Sequence, residues 1–135
     1  MALSPLQKKR ELYADFHKDL TISPVNFDLA RKVNEESVKE SIKNLLLTDK
    51  GERFYRPNLG SNIRSALFDN ITPDSIFTVQ EMVRNTIQNY EPRCSVIDVD
   101  VNSSINDNTI NIIVTFSVAN QEFPIQTAVT LTRVR

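Results

Sequence analysis

The stretch NYEPRCSVIDVDVN, Asn89–Asn102, decides the fold, because the spacing of its apolar residues changes within it. Up to Tyr90 the apolar residues recur at helical spacing, and beyond Arg93 they alternate as in a β-strand. Pro92 disfavours helical backbone at Glu91, so the helix must end by about Tyr90. The sequence therefore predicts a helix-to-strand junction, with an acid and a base on either side of a proline of fixed φ.

Upstream of this junction, caps and apolar spacing predict three helices. Asn34 is expected to cap the first helix, which ends at Gly51, a residue free to adopt left-handed backbone. Ser61 is expected to cap a short second helix, and Thr72 begins the third, followed by a proline and an acid. The apolar faces of the three helices comprise Val38, Ile42, Leu45 and Leu46; Ile63, Leu67 and Phe68; and Ile76, Val79, Val83, Ile87 and Tyr90.

Downstream of the junction, a period of two predicts three antiparallel strands, separated by the turns SSINDN and ANQ. The second strand alternates from Ile110 to Val118, and the third runs from Phe123 to Thr132. The two faces of the first strand are expected to hold Val96, Asp98 and Asp100 on one side and Ile97, Val99 and Val101 on the other. Helices followed by a meander predict an α+β fold: an N-terminal arm, then three helices packed on a C-terminal antiparallel β-meander.

The length of 135 residues is that of one domain with one ordinary core. Within this single domain, 1–135, we expect an arm at 1–33, a helical part at 34–90 and strands at 94–133. The pattern in the arm is weak and leaves two interpretations open. Either Ser4-Pro5 begins a short helix, or the segment orders only on a partner.

The composition excludes several classes of function. Two glycines are too few for a glycine-rich phosphate loop, and Cys94 alone forms neither an internal disulfide nor a thiolate metal cage. A net charge of -1 provides no general attraction to nucleic acid or anionic lipid, and we interpret Lys8–Arg10 and Arg133–Arg135 as solvated basic termini. The sequence has no signal-peptide pattern and no apolar run of about 20 residues. We therefore expect no cofactor, no metal, no nucleic acid and no membrane, and folding in a reducing cytoplasm.

Suitable catalytic side chains are scarce. His17 is the only histidine and lies in the weakly patterned arm, so a histidine-activated nucleophile is not expected. A glycosidase pair drawn from Glu52, Glu91, Asp98 and Asp100 is the remaining option. An arginine follows closely after Glu52 and after Glu91, and a guanidinium lowers a carboxyl pKa, the wrong direction for a general acid. We predict that the chain is not an enzyme, with a small muramidase as the alternative.

The trio Glu91, Pro92 and Arg93 allows two interpretations that the residues alone do not separate. In extended chain, the side chains of Glu91 and Arg93 lie on one side, about 6.6 Å apart. In the first interpretation, the trio is a surface turn that sets the direction of the strand. In the second, it is an exposed docking element that displays a carboxylate and a planar guanidinium together.

The stretch SIKNLLLTDKGERFYRPNLGSNIRSALFDNITP, Ser41–Pro73, together with NYEPR further on, resembles the baseplate wedge protein family of contractile-tailed phages. That family is often labelled lysozyme-like, is also called the tail sheath initiator, and has a relative in the type VI secretion baseplate. The likeness extends over Asp28–Arg93, roughly half of the chain. The matching positions are Ser41, Ile42, Asn44, Leu45 and Thr48; Gly51, Glu52, Arg53, Pro57 and Gly60; Leu67 and Phe68; and Glu91, Pro92 and Arg93.

The resemblance implies a structural role in the tail baseplate of a virion assembled in the host cytoplasm. Such proteins bind the core bundle of the larger baseplate wedge subunits near the Glu-Pro-Arg trio and initiate the contractile sheath. The implied partners are those subunits and the tail sheath protein, with the central tube or hub as a further candidate. The implied partner-binding residues are Glu91, Pro92, Arg93, Gly51, Glu52 and Arg53. We also expect the loop Gly51–Gly60 to lie beside the trio.

The third strand is the expected site of sheath initiation. A three-strand meander leaves two open edges, and charges such as Asp98 and Asp100 on the first strand discourage pairing there. The third strand carries no charge before Arg133, so we expect its edge to accept an extended arm of a sheath subunit by β-augmentation. The residues of this edge are Ile125, Thr127, Val129 and Leu131. A strand order that places this strand in the centre of the sheet is the alternative.

Overall fold

The computed structural model describes residues 12–66, 68, 72–104, 108–119 and 123–132. The chain forms two compact units, Met1–Ser37 and Val38–Arg135. Several predicted features lie outside the described residues: the Ser4-Pro5 helix start, the basic clusters Lys8–Arg10 and Arg133–Arg135, and Leu67.

The first unit contains a small two-stranded antiparallel sheet that the sequence did not predict. In this sheet β1 (Ala14–Phe16) pairs with β2 (Arg31–Val33). The Leu12 N–H donates to Asn34 Oδ1 at 2.8 Å, and the Asn34 N–H donates to the Tyr13 carbonyl at 2.7 Å. Strands of three residues are too short for an alternating pattern to be recognised, so the segment lacked a sequence signal.

Among the described residues, three helices precede the main sheet, as predicted. They are α1 (Glu35–Leu47), α2 (Ile63–Ala66) and α3 (Pro73–Tyr90). The predicted cap of α3 is confirmed, because Thr72 Oγ1 accepts from the Ser75 N–H at 3.2 Å and Ser75 Oγ accepts from the Thr72 N–H at 2.8 Å. None of the described helices is long and apolar enough to cross a membrane.

The other two predicted helix caps, Asn34 for α1 and Ser61 for α2, were wrong. Asn34 has a φ of 50°, which is not the extended backbone of a helix cap. Ser61 is 1% exposed, and its hydroxyl donates to the carbonyl of Leu46 at 2.7 Å. Ser61 therefore satisfies an open carbonyl at the end of α1, and Asn62 is the residue that precedes α2.

The core of the second unit is formed by the apolar faces that the sequence predicted. On the helices, the buried apolar residues are Val38, Ile42, Leu45, Leu46, Ile63, Val79, Val83 and Ile87. Phe68 and Tyr90 are exceptions, since Phe68 is 61% exposed just beyond the end of α2 and Tyr90 is 38% exposed at the end of α3. α3 packs against the first strand of the main sheet, and α2 packs against α3.

The main sheet consists of β3 (Cys94–Ser104), β4 (Thr109–Val118) and β5 (Ile125–Thr132). Its strand order is β3-β4-β5, and both pairings are antiparallel. The largest fully buried side chain, Phe116, lies on the central strand β4. The α+β fold with a C-terminal antiparallel meander is therefore as predicted.

A β-bulge near the start of β3 changes the predicted faces of that strand. Val96 lies opposite Phe116, whereas Asp98 lies opposite Thr115, so Ile97 is an extra residue in the register. Ile97 is 53% exposed. The prediction that Ile97 shares the inward face with the later valines was wrong, because a bulge reverses the alternation beyond it.

Candidate interaction site

The side chains of Ser41, Glu91 and Arg93 meet at the helix-to-strand junction. Ser41 lies on α1, Glu91 directly follows α3, and Arg93 directly precedes β3. Arg93 donates from Nε to Glu91 Oε1 at 2.6 Å and from Nη2 to Oε2 at 2.7 Å. The Ser41 hydroxyl, 50 positions away in sequence, donates to Oε2 at 2.5 Å. The carboxylate thus joins α1 to the junction.

Glu91 is buried, which corrects the prediction of an exposed pair of charges. The side chain of Glu91 is 4% exposed, whereas that of Arg93 is 26% exposed. An ionised carboxylate tolerates burial only where donors replace its water, and here two donors of Arg93 and the Ser41 hydroxyl do so. Of the two charges in the trio, only that of Arg93 reaches the surface.

The pKa of Glu91 lies below its ordinary value of 4.5. Burial by itself raises this pKa, but hydrogen bonds from Arg93 and Ser41 and the positive charge of Arg93 together lower it by more. The direction agrees with the prediction from the neighbouring arginine. A carboxyl that stays ionised at neutral pH is not available to donate a proton as a general acid.

Cys94 lies beside this ion pair but is not a reactive thiol. Burial, and after it the negative charge of Glu91, raise the thiol pKa to about 11 against the opposing charge of Arg93. Its Sγ donates to the carbonyl of Glu91 at 3.7 Å. Cys94 is therefore protonated at neutral pH. Within the described part of the chain, no three His, Cys, Asp or Glu side chains group as ligands for a metal ion.

The loop Gly51–Gly60 contacts the last residue of α3, Tyr90. The hydroxyl of Tyr90 donates to the carbonyl of Asn58 at 2.6 Å, and Tyr90 immediately precedes Glu91. The loop also closes on itself, since the N–H of Gly51 donates to the carbonyl of Pro57 at 2.7 Å. The contact of Tyr90 joins the loop to the end of α3. A position of the loop beside the trio, and a charged surface continuous from Glu52 and Arg53 to Arg93, stay predictions.

Both glycines of the loop have backbone that other residues rarely adopt. Gly51 has a φ of 88°, the left-handed backbone predicted for it, although the prediction that α1 ends at Gly51 was wrong, since α1 ends at Leu47. Gly60 has a φ of 127°, and a Cβ there would lie 2.5 Å from the carbonyl oxygen of Thr48. This close approach packs the end of the loop against the end of α1.

The loop forms a shallow cup of about 620 Å³, lined by Glu52, Arg53, Phe54, Tyr55, Arg56 and Leu59. Phe54 is 99% exposed and Tyr55 is 100% exposed. Sequence reasoning assigned Gly51, Glu52 and Arg53 to partner binding but missed the two aromatic residues and Arg56. The available signal was a pair of adjacent aromatic residues between two arginines in an otherwise polar connection.

β5 is an outer strand of the main sheet, which excludes the alternative with β5 in the centre. Its predicted edge residues face the core: Ile125 is 9% exposed, Val129 1% and Leu131 6%, while Thr127 is half-buried. On the side away from β4, no described strand pairs with β5. The opposite edge of the sheet is β3, which carries the exposed charges of Asp98 and Asp100.

The sequence of this junction and loop matches a known family. A family model described as "Baseplate wedge protein gp25" matches residues 32–122, which include α1, the loop, α3, the trio, β3 and β4. The chain belongs to the baseplate wedge protein family. The resemblance seen in Ser41–Pro73 and in the trio is therefore confirmed, and the protein is a structural component of a tail baseplate, as predicted. β5 lies beyond the matched residues.

One relative of this wedge protein is the baseplate wedge protein gp25 of Enterobacteria phage T4. The two are 32% identical over 108 residues, which cover 80% of this chain and 81% of the phage protein. This identity over most of both chains agrees with the family assignment.

Solved structures share the fold of this wedge protein. A chain in the baseplate of the anti-feeding prophage has a TM-score of 0.70 at 22% identity, covering 82% of this chain and 88% of that chain. A proposed tail lysozyme from Geobacter sulfurreducens has a TM-score of 0.68 at 22% identity, covering 75% of this chain and 92% of that chain. At such identities the likeness shows the fold and carries no activity from one protein to the other.

Proposed function

We propose that this chain is a non-enzymatic wedge subunit that docks on the core bundle of the larger baseplate wedge subunits. There it initiates the contractile tail sheath by accepting a strand at β5. The observation that carries the sheath role is the open outer edge of β5, whose residues Ile125–Thr132 include no charge. Membership of the wedge family supports the docking role.

The burial of Glu91 changes how the trio would dock. Glu91 holds the guanidinium of Arg93 at two points, and such a two-point contact fixes the orientation of the side chain. Arg93, 26% exposed, would then be the part of the ion pair that meets a partner. The proposed docking surface comprises Pro92 and Arg93 with Gly51, Glu52 and Arg53 of the neighbouring loop, and Glu91 acts behind it.

The two edge strands of the main sheet, β3 and β5, differ in how readily they can pair with an additional strand. β3 carries Asp98 and Asp100 and a bulge at Ile97, both of which discourage a further strand. β5 has eight residues, pairs with β4 in a continuous register, and carries no charged side chain. An extended arm that pairs with β5 would gain main-chain hydrogen bonds along its length.

Lysine at both Gln126 and Thr130 is expected to abolish sheath growth while leaving wedge assembly intact. Both positions are exposed on β5, and lysines on an edge strand oppose the addition of another strand. The variant is combined with the larger wedge subunits and purified sheath protein, and polymerised sheath is measured by electron microscopy. In the matched control, lysine replaces Asp100 and Asn102 on β3, and the sheath is expected to grow normally. Normal sheath on the β5 variant would refute the edge assignment.

The purified protein is expected to leave peptidoglycan intact. A general acid needs a carboxyl that is protonated near neutral pH, whereas Arg93 and Ser41 keep Glu91 ionised. Turbidity of cell-wall suspensions and chromatography of released muropeptides provide the measurement. The muramidase alternative is revived only if the wild type cleaves cell walls and Glu91→Gln, with an unchanged circular dichroism spectrum, does not.

A further inference from the structure

The most exposed apolar side chains of the described chain sit together in the loop. Phe54 is 99% exposed and Tyr55 is 100% exposed, although they are adjacent and large. Single exposed apolar residues are ordinary, but a contiguous aromatic patch marks an interaction site. Together with Arg53, Arg56 and Leu59 they line the loop cup.

Hydrogen bonds at the base of the loop hold this patch in place. The N–H of Gly51 donates to the carbonyl of Pro57 at 2.7 Å, and the N–H of Leu59 donates to the carbonyl of Arg56 at 3.1 Å. Glu52 Oε2 accepts the N–H of Asp49 at 3.0 Å. Since the backbone of the loop is already ordered, little further ordering is needed when a partner binds, which favours affinity.

The loop carries more positive than negative charge, in contrast to the chain as a whole. Its basic residues are Arg53 and Arg56, and its one acid is Glu52, whereas the whole chain has a net charge of -1. The nearby Asp49 is paired with Arg64 at 3.3 Å, outside the loop. Neither Arg53 nor Arg56 forms an ion pair with another described residue. The guanidinium groups are therefore available to carboxylates of a partner.

We propose that the cup binds an apolar side chain flanked by carboxylates on the surface of a larger wedge subunit. This inference rests on the proposed docking function and names the chemistry that the loop recognises. Phe54 and Tyr55 would cover the apolar side chain, and Arg53 and Arg56 would pair with the carboxylates on either side. Aromatic residues and arginine are the residue types that dominate binding at protein interfaces.

A protein partner fits this cup better than a nucleic acid does. Arginines beside aromatic rings also suit the stacking of single-stranded bases. The carboxylate of Glu52 and the apolar side chain of Leu59 both line the cup, however. A carboxylate repels phosphate, and an isolated leucine contributes contact to an apolar side chain rather than to a charged backbone.

The test measures the affinity of the full-length protein for purified larger wedge subunits from low to high salt. Phe54→Ser with Tyr55→Ser is expected to weaken binding by about 30-fold or more at every salt concentration. Arg53→Gln with Arg56→Gln is expected to weaken binding chiefly at low salt and to flatten its salt dependence. The matched controls are Phe77→Ser, 63% exposed on α3, and Lys43→Gln, exposed on α1, which should bind as the wild type does.

Other outcomes of this experiment distinguish failure of the loop cup as a contact from failure of the proposed docking function. If both loop variants bind as tightly as the wild type, the cup is not the contact and this inference is overturned, while the docking function stands. If the wild type itself does not bind the wedge subunits, the docking function fails and this inference with it. If a single-stranded oligonucleotide binds through these four residues and the wedge affinity is unchanged in the variants, the loop recognises nucleic acid and the proposal is wrong.

Discussion

Replacing Glu91 with alanine is expected to lower the free energy of unfolding by about 3 kcal/mol, and the melting temperature by about 10 °C. The substitution removes the acceptor for Arg93 and for the Ser41 hydroxyl. Breaking a buried ion pair leaves the remaining charge without compensation. The expected loss of stability lies at the lower end of the range for broken buried ion pairs, because the Arg93 side chain is 26% exposed and reaches water. Urea denaturation of the purified variant measures the change.

The control for this prediction is Glu81→Ala, an exposed acid on α3, which should change stability by less than about 0.5 kcal/mol. If Glu91→Ala has an equally small effect, the ion pair does not stabilise the fold.

The contribution of Glu91 to the stability of the folded protein should decrease as the pH falls. The pKa of Glu91 in the folded protein is lowered from 4.5, so its contribution is fully present above 4.5 and is lost as the pH falls toward the folded value. Glu91→Gln has no charge to protonate. The stability difference between the wild type and Glu91→Gln should therefore narrow below pH 4.5. A difference that stays constant across this range would contradict the assignment.

Gly60→Ala is expected to destabilise the protein by about 3 kcal/mol, from two separate causes. At a φ of 127° any side chain strains the backbone, by roughly 1–3 kcal/mol. The added Cβ would also lie 2.5 Å from the Thr48 carbonyl oxygen, a contact that forces local movement at a further 1–3 kcal/mol or so. That oxygen cannot simply retreat, because it accepts the N–H of Ser61 at 2.9 Å. Urea denaturation again measures the loss.

Gly51→Ala separates these two causes. Gly51 also has a positive φ, 88°, but an added Cβ would have no atom within 4 Å. This variant should therefore show the backbone strain alone, about 1–2 kcal/mol. Equal losses at Gly51 and Gly60 would mean that the close approach to Thr48 contributes nothing.

These two sites stabilise the region from which the proposed docking surface is built. Gly60 brings the loop against the end of α1, and Glu91 ties α1 to the junction that carries Arg93. The exposed residues of the loop, Phe54 and Tyr55, contribute little to this framework. Variants of the framework should therefore lose stability, whereas variants of the exposed residues should lose only partner binding.

The sequence alone determined the elements whose signals are local. α3 was predictable because its cap, its proline and its apolar spacing all lie within Thr72–Tyr90. The strands β4 and β5 were predictable because alternation over eight or more residues identifies a half-buried strand. The lowered pKa of Glu91 was also predictable in direction, since Arg93 is only two residues away.

Tertiary structure decided the features that depend on residues distant in the chain. The donor Ser41 lies 50 positions from Glu91, so no local spacing could show that the carboxylate is buried. An outer strand and a central strand alternate with the same period, so only the pairing of β5 with β4 placed β5 at the edge. The bulge at Ile97 likewise exists only as a mismatch between β3 and β4. The periodicity of a sequence shows which face of a helix or strand is apolar. Whether a charge is buried, and in which order strands pair, depends on the other elements that pack against that helix or strand.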